Sequence, residues 1–307
     1  MDRRPREAEV LVRTEALTKR FGTTLALDSV DLEINRGSVF GFLGPNGAGK
    51  TTAIRLLLGL SLPTSGTATI GGLDPWRDTV ELHRSIAYVP GEAALWPQLT
   101  GGEVIDLLGH LHGSLDPQRR DSLIERFGLD PSKKCRAYSK GNRQKVLLIA
   151  ALARPSTLLI LDEPTSGLDP LMEVEFRHVV NEVAAAGATV LLSSHILSEV
   201  QALCSEVGIL RAGRLVEVAS LDDLRRLDVA ELEIGFVGAA PDLVGLAGVE
   251  HQERLSPTVV RVSFRGDLNE LLSRLSGVRL TSLVSRELDL EDIFLRFYTD
   301  SRDDVAR

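Results

Sequence analysis

The chain has 307 residues, of which 43% are hydrophobic and 25% are charged, and its formal net charge at pH 7 is −8. This length is enough for a large core and more than one domain, and the composition is that of an ordinary globular protein. The acidic balance argues against a nucleic-acid partner, because neutralising phosphates requires clustered lysine and arginine.

No apolar run approaches the roughly 18 residues that span a bilayer, and no signal peptide precedes the first predicted strand. The two cysteines, Cys135 and Cys204, and the six histidines form no CxxC, HxxxH or similar metal-ligand spacing. We therefore expect a cytoplasmic protein with reduced thiols, and we expect residues 1–9 to form a flexible tail.

The first predicted strands cover residues 10–12 and 25–34, with Phe21 in the turn between them, and an apolar run at 39–43 predicts a third. This run leads into the pattern G-x-x-x-x-G-K-[ST], which precedes a predicted helix. The glycines let backbone amides surround phosphate oxygens, and the helix N-terminus adds partial positive charge. The predicted phosphate-binding residues are Gly44, Pro45, Asn46, Gly47, Ala48, Gly49, Lys50, Thr51 and Thr52.

Two side chains of this loop carry chemistry. Lys50 is placed to reach the β- and γ-phosphates of a nucleotide, and the Thr51 hydroxyl is placed to bind Mg²⁺. A glycine-rich turn with an incidental lysine is the alternative, and the flanking strand and helix count against it.

Residues 91–154 show a helical pattern without strands, with Val104, Leu107, Leu108 and Leu111 on one helix face. Within this segment Ser139 is a suitable N-cap for the apolar helix at 146–153, whose free amides could hold another phosphate. The pattern predicts a helical insertion in an α/β domain. Continuous aliphatic runs, typical of buried parallel strands, then recur at 157–161, 189–192 and 207–210.

The run at 158–161 ends in two adjacent carboxylates, Asp162 and Glu163. Successive side chains on an extended chain point in opposite directions, so one acid can face Mg²⁺ while the other faces an attacking water. We assign Asp162 to the metal and Glu163 to polarising the water. The alternative is that both acids only cap the following helix.

Five features occur here in the order and spacing typical of the nucleotide-binding domains of ABC transporters, and residues 10–218 resemble that family. They are the phosphate loop, the helical insertion, the Ser-Lys-Gly-Asn motif at 139–142, the run ILDEPTSGLD at 160–169, and His195 after the next strand. The resemblance implies a P-loop NTPase fold with a mixed sheet core, an antiparallel β region and a helical insertion. It also implies ATP and Mg²⁺ as ligands.

By this resemblance, Phe21 stacks on adenine, residues 166–169 form the D-loop, and His195 is a catalytic residue that contacts the γ-phosphate together with Lys50. Two identical copies enclose two ATP molecules in this family, each held by one copy's phosphate loop and the other copy's signature helix. The implied signature and D-loop residues are Ser139, Lys140, Gly141, Asn142 and Asp169.

Local physics leaves alternatives for three of these residues. Phe21 lies in a turn, where an aromatic ring often only packs on the core. Asp169 precedes Pro170 in the pattern of an N-cap, so it could serve only to start a helix. His195 could be a satisfied polar residue at a strand end, although the strand at 189–194 favours the functional interpretation.

The sequence departs from the family pattern in two places. Gly91 stands where the family usually has a glutamine, so either Glu92 replaces that side chain or water completes the metal shell. The signature has Tyr138, Lys140 and Asn142 where leucine, glycine and glutamine are commonest. This variant resembles two-component exporters, and the tail at 288–294 resembles the C-terminal extension of drug and antibiotic exporter ATPases.

Residues 219–307 are predicted to be a separate α+β domain with a ferredoxin-like βαββαβ order and one further helix. Alternating strands are predicted at 229–234 and 260–264, one helix is predicted behind the N-cap Asp267, and a last helix carries Leu290, Ile293, Phe294 and Phe297. This domain contains no cluster of chemically reactive residues.

These observations predict an ATPase that powers export of a small, lipophilic or drug-like compound through a separate permease at the inner face of the cell membrane. The permease is expected to dock near Leu95, Trp96 and Pro97, and the alternative is that Trp96 packs inside the helical insertion. A soluble ABC-type ATPase acting on ribosomes or DNA is disfavoured by the acidic, single-cassette chain. A nucleotide-gated regulatory protein is the remaining rival, which the Gly91 departure keeps open.

Overall fold

The computed structural model describes residues 9–111, 113, 115–221, 223, 230–243, 245–265 and 268–286. Residue contacts divide the chain into two compact units, Met1–Ser220 and Leu221–Arg307. None of the helices in the described ranges is both long and apolar enough to cross a bilayer.

Strands and helices alternate through most of the first unit. Its strands are β1 (Val10–Phe21), β2 (Thr24–Asn35), β3 (Val39–Leu43), β4 (Ser65–Ile70), β5 (Ile86–Val89), β6 (Leu158–Asp162), β7 (Thr189–Ser194), β8 (Glu206–Arg211) and β9 (Arg214–Ser220). Its helices are α1 (Lys50–Leu57), α2 (Thr79–Ser85), α3 (Gly101–Leu111), α4 (Pro117–Arg126), α5 (Lys140–Leu152), α6 (Pro170–Ala185) and α7 (Leu197–Leu203).

A six-stranded sheet with the order β5-β6-β7-β3-β8-β9 forms the centre of this unit. All its pairs are parallel except the edge pair β8–β9, which is antiparallel. Every residue of β3, β6 and β7 is buried, which explains their continuous aliphatic sequences. Because parallel strands share one carboxyl edge, the loops after β3, β6 and β7 meet there, and ligands of such sheets bind at that edge.

A second, antiparallel sheet with the order β2-β1-β4 packs on the same core. Its strands alternate between buried and exposed residues, as expected for a sheet with one solvent-exposed face. Val12 and Ile34 from this sheet share one buried cluster with Phe40 of β3, Ile54 of α1 and Leu158 of β6. The predicted mixed sheet core with an antiparallel β region is therefore confirmed.

Helices α3, α4 and α5 fill the segment between β5 and β6, as the helical periodicity predicted. The buried face of α3 differs from the predicted one. Val104 and Ile105 are fully buried, whereas Leu107 is 37% exposed and Leu111 is 68% exposed. The apolar residues of α3 span a wider face of the helix than the neighbouring helix α5 covers, so part of that face stays exposed.

The second unit contains β10 (Ala230–Val237), β11 (Val249–Ser256), β12 (Val259–Phe264), α8 (Leu268–Leu275) and β13 (Arg279–Arg286). Its strands form an antiparallel sheet with the order β11-β12-β10-β13. Leu232, Ile234 and Phe236 of β10 pack with Leu271 and Leu275 of α8 in a separate core.

The expected ferredoxin-like order is wrong in its first half. The described residues between β10 and β11, 238–243 and 245–248, form no helix. Pro241 interrupts this segment, and Gly238, Gly245 and Gly248 have positive φ angles, so a helix cannot run through it. The predicted N-cap Asp267 and the segments 288–294 and 290–297 lie outside the described residues.

Candidate functional site

The glycine-rich loop connects the buried strand β3 to α1, as predicted. Helix α1 begins at Lys50, and Gly49 precedes it with a φ of 113°. A Cβ atom added at Gly44 would lie 2.5 Å from the backbone oxygen of Leu210, so only glycine fits where the loop leaves the sheet. Of the other predicted loop residues, Pro45, Asn46 and Gly47 are exposed and Ala48 is buried. Thr51 and Thr52, in the first turn of α1, are half-buried.

Lys50 lies inside this loop and not on its surface. The side chain is 5% exposed, and Nζ donates hydrogen bonds to the backbone oxygens of Gly44 at 2.6 Å and Pro45 at 3.2 Å. Burial lowers the pKa of Lys50, while the nearby Glu163 and Asp162 carboxylates oppose that shift. The loop therefore holds a desolvated ammonium group at the place where the oxygens of a bound phosphate would accept its hydrogen bonds.

Asp162 connects three elements at the carboxyl edge of the sheet. Thr51 Oγ1, in the first turn of α1, donates to Asp162 Oδ2 at 3.0 Å. The Ser193 hydroxyl, at the end of β7, donates to Asp162 Oδ1. A carboxylate and a hydroxyl oxygen that already converge in this way are the hard ligands that Mg²⁺ prefers, so the residues present fit this metal together with nucleotide oxygens and water.

Glu163 does not continue the extended strand on which the predicted alternation with Asp162 was based. Its φ of 47° is left-handed, so the chain is not extended at this position and strand alternation does not apply. Such a conformation costs about 1–3 kcal/mol in a residue other than glycine. The Glu163 amide donates to the Ser193 carbonyl at 3.0 Å, which ties the turn to β7.

The Glu163 carboxylate contacts two other predicted site residues. Its Oε1 lies 3.2 Å from His195 Nδ1 and 3.9 Å from Lys50 Nζ. Glu163 is about one-third exposed and His195 about half exposed, so both remain open to water. Glu163 therefore joins Lys50 and His195, and the same contact gives His195 the partner that the alternative of a satisfied polar residue requires.

A pocket of about 610 Å³ opens beside this cluster and is bordered by Arg55, Tyr88, Gly91 and Glu92. Burial, followed by the charge of Asp162, raises the pKa of Tyr88 to about 12. A Cβ atom at Gly91 would lie 3.1 Å from the Asp162 backbone oxygen, so the loop runs close to the end of β6. The Glu92 side chain borders the same pocket and is exposed.

The signature motif and the D-loop contact each other within one chain. Ser139 caps α5 as predicted, since its hydroxyl accepts the Asn142 amide at 3.3 Å. Lys140 Nζ donates to the Ser166 hydroxyl at 2.6 Å. A Cβ atom at Gly141 would lie 2.2 Å from the Gly167 backbone oxygen, which explains why a glycine stands there.

Two further predicted residues have defined surroundings. Asp169 is the N-cap of α6 and accepts the Met172 amide at 3.1 Å, so the capping role that we kept as an alternative is present. Phe21 ends β1 and is 53% exposed, which contradicts the alternative that it packs on the core. Lys19 Nζ lies 4.7 Å from the centroid of the Phe21 ring.

The structure thus brings Lys50, Thr51, Asp162, Glu163 and His195 into one connected cluster. Of the predicted residues beyond the phosphate loop, Lys140 lines the pocket beside this cluster, whereas no contact given above joins Phe21, Ser139, Gly141, Asn142 or Asp169 to it. Sequence reasoning missed Ser193, Ser194, Thr165 and Glu199, which support the cluster. The only signal for two of them was the pair of serines that ends an otherwise aliphatic strand.

A buried lysine in a glycine-rich loop between a parallel strand and a helix, with an acid at the end of a neighbouring strand, defines a P-loop nucleoside triphosphatase. The chain also matches the family model described as ABC transporter over residues 27–166.

Curated relatives match nearly the whole chain. A daunorubicin resistance ATP-binding protein of Streptomyces coeruleorubidus is 34% identical over 96% of this chain and 98% of the relative. A bacitracin transport ATP-binding protein of Bacillus licheniformis is 32% identical over 93% and 96%. A solved structure, described as the ATP binding subunit of an ABC transporter, has a TM-score of 0.67 and 33% identity over 71% of this chain and 92% of that one.

This chain belongs to the ABC transporter family, as one of its ATP-binding ATPases. The family and the enzyme class predicted from the motifs are therefore confirmed.

The close approach at Gly141 gives a testable consequence. We expect Gly141→Ala to lower the free energy of unfolding by about 1–3 kcal/mol, because the new methyl group collides with the D-loop backbone. ATP turnover should also fall, since the D-loop continues from Glu163. Chemical denaturation and phosphate release measure the two effects.

The control is Gly277→Ala, because a Cβ atom there meets nothing within 4 Å. Equal unfolding free energies and equal turnover in the two variants would contradict this account of the contact.

Proposed function

We propose that this chain powers export of a small, lipophilic or drug-like compound through a separate membrane permease, and that it works as a homodimer that closes on two Mg·ATP. The observation that carries the proposal is the connected cluster of Thr51, Asp162, Glu163 and His195 beside a buried Lys50. The names of full-length relatives, which refer to daunorubicin resistance and bacitracin transport, support the export of a drug-like compound.

The cluster suits ATP hydrolysis by the residues of one chain. The loop amides and Lys50 hold the phosphates, and Thr51 and Asp162 hold Mg²⁺, which when bound neutralises phosphate charge. Glu163 acts as the general base that accepts a proton from water, a role worth on the order of 10²- to 10⁴-fold in rate. His195 orients Glu163 through the contact between Nδ1 and Oε1 and contacts the γ-phosphate.

A second copy completes the site. The N-terminus of α5 and the exposed Lys140 lie at the surface, where they suit an anion, and Lys140 also lines the pocket of Thr51, Asp162 and Glu163 in its own copy. In the dimer, Ser139, Lys140, Gly141 and Asn142 of one copy bind the γ-phosphate held by Lys50 of the other. Asp169 lies at the D-loop between the two copies, and the exposed Phe21 ring stacks on adenine.

The permease docks on the loop that carries Leu95, Trp96 and Pro97, and this contact keeps the protein at the inner face of the cell membrane. The Trp96 side chain is 49% exposed and therefore is not enclosed by the helical insertion. Its loop is held in place, because the Pro97 and Leu99 carbonyls accept the Arg136 and Cys135 amides. A large aromatic side chain on a fixed loop is a typical interface anchor.

Replacing the general base tests the reaction and the dimer together. Glu163→Gln should bind ATP, lower turnover by roughly 10²- to 10⁴-fold, and accumulate as the closed dimer, because the amide cannot accept the proton. Phosphate release and size-exclusion chromatography with Mg·ATP measure these outcomes. Glu173→Gln, the same chemical change in the first turn of α6, is the control. Parental turnover in Glu163→Gln would show that the base is misassigned.

Replacing the proposed anchor tests the permease surface. Trp96→Ala should leave ATP binding unchanged, and it should weaken association with the permease that co-purifies with the parent chain by at least about tenfold. Leu111→Ala removes another exposed apolar side chain of the helical insertion and serves as the control. Normal co-purification of Trp96→Ala with that same permease would count against the docking site.

A further inference from the structure

Glu199, in the first turn of α7, is a buried carboxylate that joins two catalytic loops. Its Oε2 accepts a hydrogen bond from the Ser194 hydroxyl at 2.6 Å, and its Oε1 accepts one from the Thr165 hydroxyl. Thr165 lies two residues after Glu163, and Ser194 immediately precedes His195. One side chain therefore connects the loop that carries the base with the loop that carries the histidine.

The Ser194 hydroxyl fixes the backbone on both sides of His195. It accepts the Ile196 amide at 2.9 Å, while its own proton has two possible acceptors. These are Glu199 Oε2 at 2.6 Å and the Ile196 carbonyl at 3.4 Å. Because a hydroxyl has one proton and a carboxylate is the stronger acceptor, the proton goes to Glu199. The turn at His195 is therefore oriented by Glu199.

Thr165 has the corresponding role on the other loop. It is 5% exposed, and its carbonyl accepts the Leu168 amide at 2.9 Å. The Ser166 amide donates to the Glu163 carbonyl at 3.2 Å, so Thr165 sits within the turn that follows the base. The left-handed backbone at Glu163 persists only where its surroundings determine it strongly. The bond from Thr165 to Glu199 is part of those surroundings.

A purely structural role explains Glu199 poorly. A glutamate at the third position of a helix usually accepts a hydrogen bond from the backbone amide of the N-cap residue. In α7 the N-cap is Ile196, and its amide donates to the Ser194 hydroxyl instead. Among the described residues no ion pair within 4 Å includes Glu199, which is only 7% exposed, although Arg177 and Glu199 line the same pocket. Burying a carboxylate is unfavourable, and apolar replacements of buried charges are often neutral or stabilising.

We propose that Glu199 is a positioning residue that keeps Glu163 and His195 at hydrogen-bonding distance by holding Thr165 and Ser194. Helix α7 packs on β3 and β7, so the carboxylate is fixed to rigid elements, which is what precise support of a site requires. The inference rests on the proposed function, in which the base and the histidine act on the same phosphate. It adds a residue that acts through Thr165 and Ser194.

Four substitutions test the inference through steady-state ATP turnover. Glu199→Ala should lower kcat by about 100-fold, and Ser194→Ala and Thr165→Val should each lower it about tenfold, because a misplaced base is the common defect. The KM for ATP should stay within about twofold, since no nucleotide contact is lost. Glu199→Gln, which keeps the shape and one of the two acceptor oxygens, should lower kcat only about tenfold, the cost of one hydroxyl bond, and so recover about tenfold relative to Glu199→Ala.

The effects should also be non-additive. Thr165→Val made in the Glu199→Ala background should lower kcat no further, because the bond that it removes, from the Thr165 hydroxyl to Glu199, is already gone. Thr189→Val is the matched control: Thr189 is fully buried on β7, and its hydroxyl accepts the Gly37 amide at 2.8 Å at the far end of the strand. This control should lose stability but keep the parental kcat.

Three outcomes would overturn the inference. They are parental kcat in Glu199→Ala and both hydroxyl variants, a raised KM for ATP with unchanged kcat, or an equal loss of kcat in Thr189→Val. The hydroxyl variants decide the question if Glu199→Ala fails to fold. Failure of the proposed function is recognised separately, because the parent chain would then lack ATP turnover or Glu163→Gln would retain it.

Discussion

The hydrogen bonds around Asp162 are the interaction on which the rest of the site depends. Its carboxylate, at the end of β6, accepts the Thr51 hydroxyl from α1 and the Ser193 hydroxyl from β7. Asp162 is 4% exposed, so water competes little with these bonds. They fix the phosphate loop against the two strands whose loops carry Glu163 and His195, and the geometry of the base follows from that arrangement.

The parts of the site that are continuous in sequence could be predicted from it. The phosphate loop, the Ser139 cap and the helix start at Asp169 each depend on residues a few positions apart, where turn and capping chemistry decides the backbone. The buried parallel strands could be predicted for the same reason, because burial on both faces leaves a continuous aliphatic run such as that of β6.

What escaped prediction depends on contacts between distant segments. The Thr165–Glu199 bond joins residues 34 positions apart, and nothing near either residue in the sequence indicates the other. The left-handed backbone of Glu163 lies in a turn closed by the Ser166 amide and the Glu163 carbonyl, while propensity alone predicts a continued strand. The helix expected after β10 was wrong for a different reason. Pro241 and the neighbouring glycines are helix-breaking residues in the sequence itself, and they outweigh the expectation of a ferredoxin-like order.

In the dimer that we propose, one ATP is held between two copies, by Lys50 of one and Ser139 of the other. The most direct test is a structure of the Glu163→Gln chain with Mg·ATP. We expect a dimer in which both residues lie within about 3 Å of oxygens of the same γ-phosphate. A structure in which each nucleotide contacts Lys50 while Ser139 of the other copy stays remote from it would contradict the account.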